Sequence, residues 1–380
     1  MPLPLRLLAS AVIALATALA ADAGEHLALL GTYTDHGSKG IYAVRLDDAT
    51  GALSAPVLVA SLRDPEFLAL HPSGRYVYAL THSQTPDGQE RAGLAAFVVD
   101  AATGALAPLN EVSFPASALT HLAVDATGRM IVAASYNGGY VVSFPLAPDG
   151  RIGPLASRLA QTGPLGPNRA RQDAPHPHSV TLSPDNRFAF VADLGLDRIC
   201  AYRLDSAHGT IAPATPPFTS LAPGVGPRHT KFSPDGRSFY VIDELEGSVA
   251  SCRYDATGGT LTPLARTSTL PAGFSGTNSS SELRVHPSGR WVYAANRGPN
   301  SLAVFARDSA TGALTLLDIV PTGGAVPRNF ALSPDGAWLL CAHQASDNLT
   351  VFKVDPANGR LTATSASARV PTAVCVLFLR

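Results

Sequence analysis

Residues suited to acid–base chemistry and to anion binding stand where apolar runs of this sequence begin or end. His178 begins "HSVTL", Arg228 lies in "GPRHTKF", Glu244 ends "SFYVIDE" and Arg297 ends "WVYAANR". The guanidinium fork of arginine binds carboxylate or phosphate through two hydrogen bonds and keeps its charge. Histidine or glutamate accepts a proton from water most effectively when its pKa lies near the working pH. In one pocket, these residues would suit the hydrolysis of an ester that carries an anionic group.

Two recurring phrases indicate the scaffold that must position these residues. "HPSGRYVYAL" at His71 returns as "HPSGRWVYAA" at His286, with four looser copies between and after them. Each copy is a tight turn followed by a β-branched and aromatic run, which predicts a hairpin leading into a strand. An Asp–Gly turn recurs seven times, from "DDATGAL" at Asp47 to "DPANGRL" at Asp355. A period of roughly fifty residues is typical of propeller blades and not of helical arrays.

The two ends of the chain explain why six hairpins accompany seven Asp–Gly turns. The segment "HLALLGTYTDHGSKGIYAVRLD" resembles the later half of a blade, and "VPTAVCVLFLR" resembles an opening strand. Pairing these ends in one sheet closes the ring and leaves no unpaired sheet edge. The sequence therefore predicts an all-β protein, a seven-bladed β-propeller in one domain over residues 24–380. The stretch "QTGPLGPNRARQDAPHP" is interpreted as a long loop within the ring.

One rim of this predicted propeller is the expected place for a site. The first two strands of a blade are antiparallel, so the start of one and the end of the other meet at the same rim. Residues counted at these positions vary from blade to blade, whereas the turns and apolar runs stay nearly constant, which indicates function at the rim. The alternative is that strand ends are polar because they meet water. The counted positions include Glu66, Tyr136, His178, Asp193, Arg228, His229, Glu244, Glu282, Arg297, Arg328 and Asn329.

Composition and the N-terminus point to an exported protein. The net charge of −1 and a pI of about 6.8 do not suggest binding to nucleic acid or to a membrane surface. Residues 1–23, "MPLPLRLLASAVIALATALAADA", have the pattern of a signal peptide cleaved after Ala20 or Ala23. An uncleaved anchor is the alternative, but the apolar run is shorter than the roughly 20 residues of a membrane span. We therefore expect a monomer that is periplasmic or secreted, with no membrane association after cleavage.

The four cysteines do not define a disulfide or a metal site. Cys200, Cys252, Cys341 and Cys375 match no zinc-binding spacing, and four cysteines allow three pairings. Each lies in an apolar or β-like run, which favours a buried thiol although an exported protein meets an oxidising compartment.

Several segments together resemble the seven-bladed propeller lactonase family, which includes propeller-type 6-phosphogluconolactonase and fungal carboxy-muconate cycloisomerase. The segments are "PHPHSVTLSPDNRFAFVADLGLDRI", "GPRHTKFSPDG", "SSSELRVHPSGRWVYAANRG" and "VPRNFALSPDG". In the cycloisomerase branch the site is a His, two Arg and a Glu, which fall by motif on His178, Arg228, Arg297 and Glu244. Asp243 replaces the Asn expected before the Glu, and like-charge repulsion would then raise the pKa of Glu244.

The resemblance implies a hydrolase that opens the lactone of a sugar acid or a related anion, and the signal-like N-terminus implies that it is exported. His178 or Glu244 would accept the proton of water, and the two arginines would bind the anion. We assign substrate binding to His176, Asp193, His229, Glu282, Arg328 and Asn329. The alternatives are that His178 only hydrogen-bonds a loop and that Glu244 only neutralises Arg228.

No cofactor and no metal are expected, because an arginine-rich rim repels cations. No G-x-S-x-G motif supports a serine nucleophile. Two other functions stay open at this point. "RYVYALTHS" also resembles the YVTN repeats of exported propellers that bind a ligand or envelope partner without catalysis, and the same four residues suit a lactone-forming cycloisomerase. Export itself counts against phosphogluconolactone, which belongs to the cytoplasm.

Overall fold

A computed structural model of the protein describes residues 24–379, which form strands joined by turns and loops. The strands make seven antiparallel sheets of four strands each, so the predicted all-β, seven-bladed propeller is confirmed. No helix in this range is long and apolar enough to cross a membrane. The predicted signal peptide, residues 1–23, lies outside the described residues.

The strands follow one another along the chain with short connections. They are β1 (Glu25–Thr32), β2 (Gly40–Asp47), β3 (Val57–Ser61), β4 (Leu68–Leu70), β5 (Tyr76–Gln84), β6 (Glu90–Val99), β7 (Leu106–Pro115), β8 (His121–Val124), β9 (Met130–Ser135), β10 (Tyr140–Pro145), β11 (Ser157–Ala160), β12 (Pro177–Leu182), β13 (Phe188–Asp193), β14 (Arg198–Asp205), β15 (Thr210–Ser220), β16 (Pro227–Phe232), β17 (Ser238–Asp243), β18 (Ser248–Asp255), β19 (Thr260–Ser268), β20 (Ser279–Val285), β21 (Trp291–Arg297), β22 (Ser301–Arg307), β23 (Leu314–Pro321), β24 (Pro327–Leu332), β25 (Trp338–His343), β26 (Asn348–Val354), β27 (Leu361–Arg369) and β28 (Ala373–Phe378).

Six blades are continuous in sequence, and we number them in chain order. Blade 1 is β4–β7, and each later blade takes the next four strands, ending with β24–β27 as blade 6. Blade 7 combines the two ends of the chain in the order β28, β1, β2, β3. The innermost strands β4, β8, β12, β16, β20, β24 and β28 each contact the next around the ring. A central channel therefore runs through the molecule, as the predicted topology requires.

Blade 7 is the point at which the ring closes. β1 pairs antiparallel with β28, with Leu29 opposite Leu377 and Gly31 opposite Cys375. The backbone N–H of Leu379 also donates to the carbonyl of Leu27, at 2.8 Å. A Cβ atom at Gly31 would lie 2.2 Å from the carbonyl oxygen of Pro65 in the connection to blade 1, so only glycine allows this close approach.

The near-identical phrases of the sequence hold neighbouring blades together. In blade 1, the His71 ring contacts the carbonyl of Gly128 at 3.0 Å, and Gly128 lies in blade 2. In blade 5, the His286 ring makes the equivalent contact with Gly336 of blade 6, at 3.1 Å. The tyrosine seven residues later donates in each case to the Asp–Gly turn of the next blade, from Tyr78 to Gly150 and from Tyr293 to Gly359. The first phrase is thus repeated because it joins a blade to its neighbour.

The hydrophobic core is divided into clusters that lie between blades. Phe188 and Phe190 of blade 3 pack with Phe239 and Tyr254 of blade 4, and Phe190 and Phe239 are 5.4 Å apart between ring centroids. No blade can bury this face alone, because a single sheet exposes both of its sides. All four cysteines are free and buried within these strands, which agrees with the interpretation as thiols.

Deleting residues 370–380, which include β28, is expected to abolish cooperative unfolding because it removes the innermost strand of blade 7. Thermal unfolding followed by calorimetry measures this. The control is a circular permutant that links Arg380 to Gly24 and opens in the exposed turn between Asp87 and Gly88. The permutant retains every strand and should unfold cooperatively. Unchanged thermal stability of the deletion variant would contradict closure of the ring by β28.

Candidate active site

A shared backbone conformation presents rim residues at the start of the innermost strands. In three blades a residue with positive φ precedes a proline and then the rim residue, as Asp64-Pro65-Glu66, Gly226-Pro227-Arg228 and Val326-Pro327-Arg328. The φ values of the first residues are 46°, 62° and 60°. Glycine adopts this conformation readily, whereas it strains the β-branched Val326. The carbonyls of Gly226 and Val326 then accept the backbone N–H of Glu244 and Gln344, at 2.8 and 2.9 Å.

These connections bring the rim residues of several blades to one cavity of about 440 Å³. Its polar lining comes from blades 1 to 7 and from the long loop before β12. The lining residues with ionisable side chains are Tyr33, Glu66, Tyr136, Arg171, His178, Glu244, Arg297 and Arg328. The rim predicted from the repeat is therefore the rim that carries the cavity.

Glu244 lies at the centre of a cluster of arginines. Its Oε2 atom is 3.0 Å from Nε of Arg228 and 3.1 Å from Nη2 of Arg297. Its Oε1 atom accepts hydrogen bonds from Arg171 and, at 2.9 Å, from the hydroxyl of Ser279. The contact with Arg228 is a close charge pair and not an aligned hydrogen bond, because the Nε–H does not point at the oxygen. Glu244 and Arg228 are both 2% exposed, so each depends on the other for charge compensation.

The expectation that Asp243 raises the pKa of Glu244 is wrong. Successive residues of a strand point to opposite faces, and Asp243 lies against Nε of Arg266 at 2.8 Å, away from the cavity. Burial by itself would raise the pKa of Glu244, but Arg297 and Arg228 together with other cationic neighbours hold that pKa well below its ordinary value. Glu244 is therefore ionised at neutral pH and is a weak proton acceptor.

His178 is a neutral imidazole beside this cluster. It is 5% exposed on β12, and its Nδ1 atom has no hydrogen-bond partner among residues 24–379. Burial, followed by the charge of Arg228 and the ring of His229, lowers the pKa of His178 well below the ordinary value of a histidine. The ring makes no hydrogen bond to a loop in the described part of the chain. Because Nδ1 is enclosed by protein, the other ring nitrogen, Nε2, is the one through which the imidazole can exchange a proton with the cavity.

Of the six residues assigned to substrate binding from the sequence, Arg328 is the one that lines the cavity. Its guanidinium donates to the hydroxyl of Tyr33 at 2.9 Å and is 3.4 Å from Oε1 of Gln344. Within residues 24–379, no carboxylate lies within ion-pair distance of Arg328. A guanidinium without an acidic partner in a cavity wall is suited to binding an anionic ligand.

His229, Glu282 and Asn329 are buried and do not line the cavity. Oε2 of Glu282 is 3.0 Å from Nδ1 of His229 and accepts from Nδ2 of Asn329 at 2.6 Å. All three are less than 5% exposed. The structure thus places these residues outside the lining of the cavity.

His176 and Asp193 lie behind the cavity wall. The ring of His176 stacks on Tyr136 at 4.2 Å and contacts the Tyr136 carbonyl through Nδ1 at 3.0 Å. Oδ1 of Asp193 accepts the backbone N–H groups of His176 and Leu196, at 2.9 and 3.0 Å. Both residues therefore hold the loop and Tyr136 in place, and neither lines the cavity.

The structure adds to the cavity four residues with ionisable side chains that were not assigned a role from the sequence. Glu66 and Tyr136 occupy counted rim positions. Tyr33 occupies the same position in blade 7, since its backbone N–H donates to the carbonyl of Thr372 as that of Glu244 donates to the carbonyl of Gly226. Extending the count to β1 would have found it. Arg171 lies in the long loop, where no repeat indicates its position.

A second cavity, of about 1270 Å³, opens at the opposite end of the channel. Most of its lining residues are apolar, and Arg45, Lys231 and Arg284 are the arginines and lysine among them. None of the residues assigned to catalysis lines it. Among residues 24–379, no group of three or more His, Cys, Asp or Glu side chains is arranged to hold a metal ion.

The fold and the site define a class: a seven-bladed propeller with an arginine-rich, acid–base pocket at one mouth of its channel. The chain belongs to the family described as lactonase, 7-bladed beta-propeller, whose profile matches residues 27–378. It is thus an enzyme of the lactone-hydrolysing, carboxylic-ester hydrolase class.

Similar proteins cover nearly the whole chain. A 6-phosphogluconolactonase from Bacillus subtilis (strain 168) is 34% identical over 355 residues, 93% of this chain and 99% of that protein. A 6-phosphogluconolactonase from Formosa agariphila is 31% identical over 80% of this chain and 85% of its own length. A solved structure of the periplasmic gluconolactonase from Pseudomonas aeruginosa has a TM-score of 0.86 at 32% identity, covering 94% of this chain and 99% of that chain.

Replacing Glu244 by Gln is expected to lower the free energy of unfolding at pH 7 by about 3–5 kcal/mol, because Arg228 loses its buried counter-ion. Urea unfolding followed by circular dichroism measures this. The control is Glu246→Gln, since Glu246 is 47% exposed and its pair with Arg266 contributes little. Equal stability of the two variants would contradict the proposed dependence of Arg228 on Glu244.

The same pair of proteins gives a pH test. The pKa of Glu244 is lower in the folded protein than its ordinary value of 4.5, so its contribution to stability is complete above that value and is lost as the pH falls below it. The stability difference between wild type and Glu244→Gln should therefore shrink on acidification below about pH 4.5.

Proposed function

We propose that the protein is an exported lactonase that hydrolyses the lactone of an anionic sugar acid. The observation that carries the proposal is a cavity whose lining places the neutral imidazole of His178 beside a cluster of arginines. Relatives named 6-phosphogluconolactonase and gluconolactonase support a sugar lactone as the substrate class.

The charges around the cavity favour an anionic substrate. Arg171, Arg297 and Arg328 line it, and Arg228 lies directly behind Glu244. Four arginines against the two carboxylates of Glu66 and Glu244 leave an excess of at least two positive charges. Glu244 occupies three of the arginines, which leaves Arg328 as the guanidinium most available to a substrate carboxylate or phosphate.

The residues around the cavity suit a metal-free hydrolysis. The imidazole of His178 accepts a proton from a water molecule in the cavity, and the oxygen of that water attacks the lactone carbonyl. The arginines stabilise the negative charge that develops on the carbonyl oxygen. Glu244, held ionised, fixes the arginines in position and does not itself take the proton. Because three arginines engage the Glu244 carboxylate, we assign the base to His178.

Export is supported by the signal-like residues 1–23 and by the periplasmic location in the name of the Pseudomonas aeruginosa relative. We expect mass spectrometry of the protein purified from its native host to find an N-terminus at Ala21 or Gly24. A cytosolic protein that begins at Met1 would contradict export and would favour an intracellular phosphorylated lactone as substrate.

Replacing Arg328 by Ala is expected to lower kcat/KM for an anionic lactone by about tenfold to a hundredfold, since a hydrogen bond to a charged group contributes ~1.5–3 kcal/mol. The loss should appear mainly in KM and should be smaller for neutral gluconolactone. The measurement is hydrolysis of a lactone panel that contains neutral, carboxylated and phosphorylated sugars, with and without a chelator. Arg129→Ala, at the opposite rim, is the control.

The panel also tests the proposed base. His178→Ala should lower kcat by about a hundredfold or more with little change in KM, because a general base contributes roughly 10²–10⁴-fold. Full activity of this variant would contradict the role of His178. If wild type hydrolyses no lactone but binds a sugar acid, the protein is a binding module. If it only forms lactones from unsaturated acids, it is a cycloisomerase.

A further inference from the structure

The cavity contains a second carboxylate, Glu66, in a setting unlike that of Glu244. Oε2 of Glu66 accepts a hydrogen bond from the hydroxyl of Tyr33, at 2.7 Å. Within residues 24–379, no Arg, Lys or His lies within ion-pair distance of Glu66, and no group donates to its Oε1 atom. The side chain is partly buried and lines the cavity. One oxygen is therefore held by a neutral phenol while the other is open to a ligand.

The position of Glu66 is fixed from both sides. The carbonyl of Asp64 accepts the backbone N–H of Glu66 at 2.7 Å, and the Asp64 carboxylate accepts the hydroxyl of Thr34 at 2.8 Å. Arg328 donates to the oxygen of Tyr33 at 2.9 Å, so the phenol hydrogen points to Glu66. A directed chain from Arg328 through Tyr33 to Glu66 thus orients the carboxyl group towards the cavity.

The protonation of Glu66 follows from these neighbours. Burial raises the pKa of Glu66 to about 7, and the nearby charge of Asp64 acts in the same direction. The hydrogen bond from Tyr33 and the charges of Arg328 and Arg228 oppose this effect without cancelling it. The pKa of Tyr33 is itself raised, first by burial and then by Glu66, so the phenol stays a neutral donor.

We infer that Glu66 is a further catalytic residue of this cavity and that, as a carboxylic acid, it gives its proton to the ring oxygen of the lactone when the ring opens. This inference rests on the proposed lactonase function. Where one site contains two carboxyl groups, surroundings that favour opposite protonation states allow one group to act as an acid and the other as a charged stabiliser. Glu244, ionised among arginines, is the stabiliser.

The proposed step balances without a further reactant. Water adds to the lactone carbonyl while His178 takes one of its protons. When the tetrahedral intermediate collapses, the bond between the carbonyl carbon and the ring oxygen breaks, and its electron pair passes to the ring oxygen. That oxygen takes the proton of Glu66 and becomes the free hydroxyl of the hydroxy acid. Glu66 is left as carboxylate and His178 as imidazolium, and water exchange restores both.

The test is the pH dependence of kcat/KM for a carboxylated sugar lactone, whose own charge does not change near neutral pH. Spontaneous hydrolysis is subtracted at each pH. Because the acid form of Glu66 is required, activity should be highest below about pH 7 and should fall as the pH rises through that value. Glu66→Gln retains the size of the side chain and an acceptor for Tyr33 but has no transferable proton. The kcat of this variant should be about a hundredfold lower, with little change in KM, and its pH profile should have no descending limb.

Two further variants make the result specific. Tyr33→Phe removes the hydrogen bond that lowers the pKa of Glu66, so the descending limb should move to higher pH. Glu111→Gln, exposed on an outer strand, should match wild type in rate and profile. Thermal unfolding of each variant confirms that the comparison is between folded proteins.

The outcomes separate the two proposals. If wild type hydrolyses a lactone and Glu66→Gln has the same rate and the same descending limb of the pH profile, the role of Glu66 is overturned. The lactonase function then stands. No hydrolysis of any lactone by wild type overturns the proposed function and the role of Glu66 with it. A Glu66→Gln protein that loses activity only through a higher KM makes Glu66 a binding residue and also overturns the inference.

Discussion

The structure depends on the packing of each blade against the next. His71 and Tyr78 of blade 1 bond to the glycine carbonyls of blade 2, and the equivalent residues of blade 5 bond to blade 6. The aromatic faces between blades are buried only when a neighbour is present, so the stability of any blade includes that of the next one. Pairing of β1 with β28 makes this dependence circular and leaves no terminal blade with an uncovered face.

The closed ring also explains how charged groups come to be buried at one mouth of the channel. Glu244 belongs to blade 4, Arg297 to blade 5, and Arg171 to the loop before blade 3, and they meet only because the ring brings the blades together. Glu66, from blade 1, meets Tyr33 of blade 7 in the same cavity. Two residues of one chemical type thus acquire opposite protonation preferences from the blades that face them.

The repeat pattern of the sequence predicts the architecture and the rim at which the candidate site lies. The period of the turns fixes the number of blades, and the mismatch between hairpins and Asp–Gly turns identifies the shared blade. Counting along each repeat reaches His178, Glu244, Arg297 and Arg328, because a residue at a constant place in a repeat has a constant place in the fold. Glu66 is reached by the same count, although the count does not indicate its role.

Which of the rim residues face the cavity, and how they are protonated, follows from contacts between blades and cannot be seen within one repeat. Asp243 and Glu244 are adjacent in sequence but point to opposite faces of the blade, so one pairs with Arg266 and the other with three arginines. Asp193, at the strand end equivalent to Asp243, likewise turns away from the cavity. A pKa depends on burial and on charges contributed by other blades. The local sequence shows neither the burial of a side chain nor the charges that surround it. For this reason the sequence made Glu244 a candidate base, whereas the structure holds it as an anion.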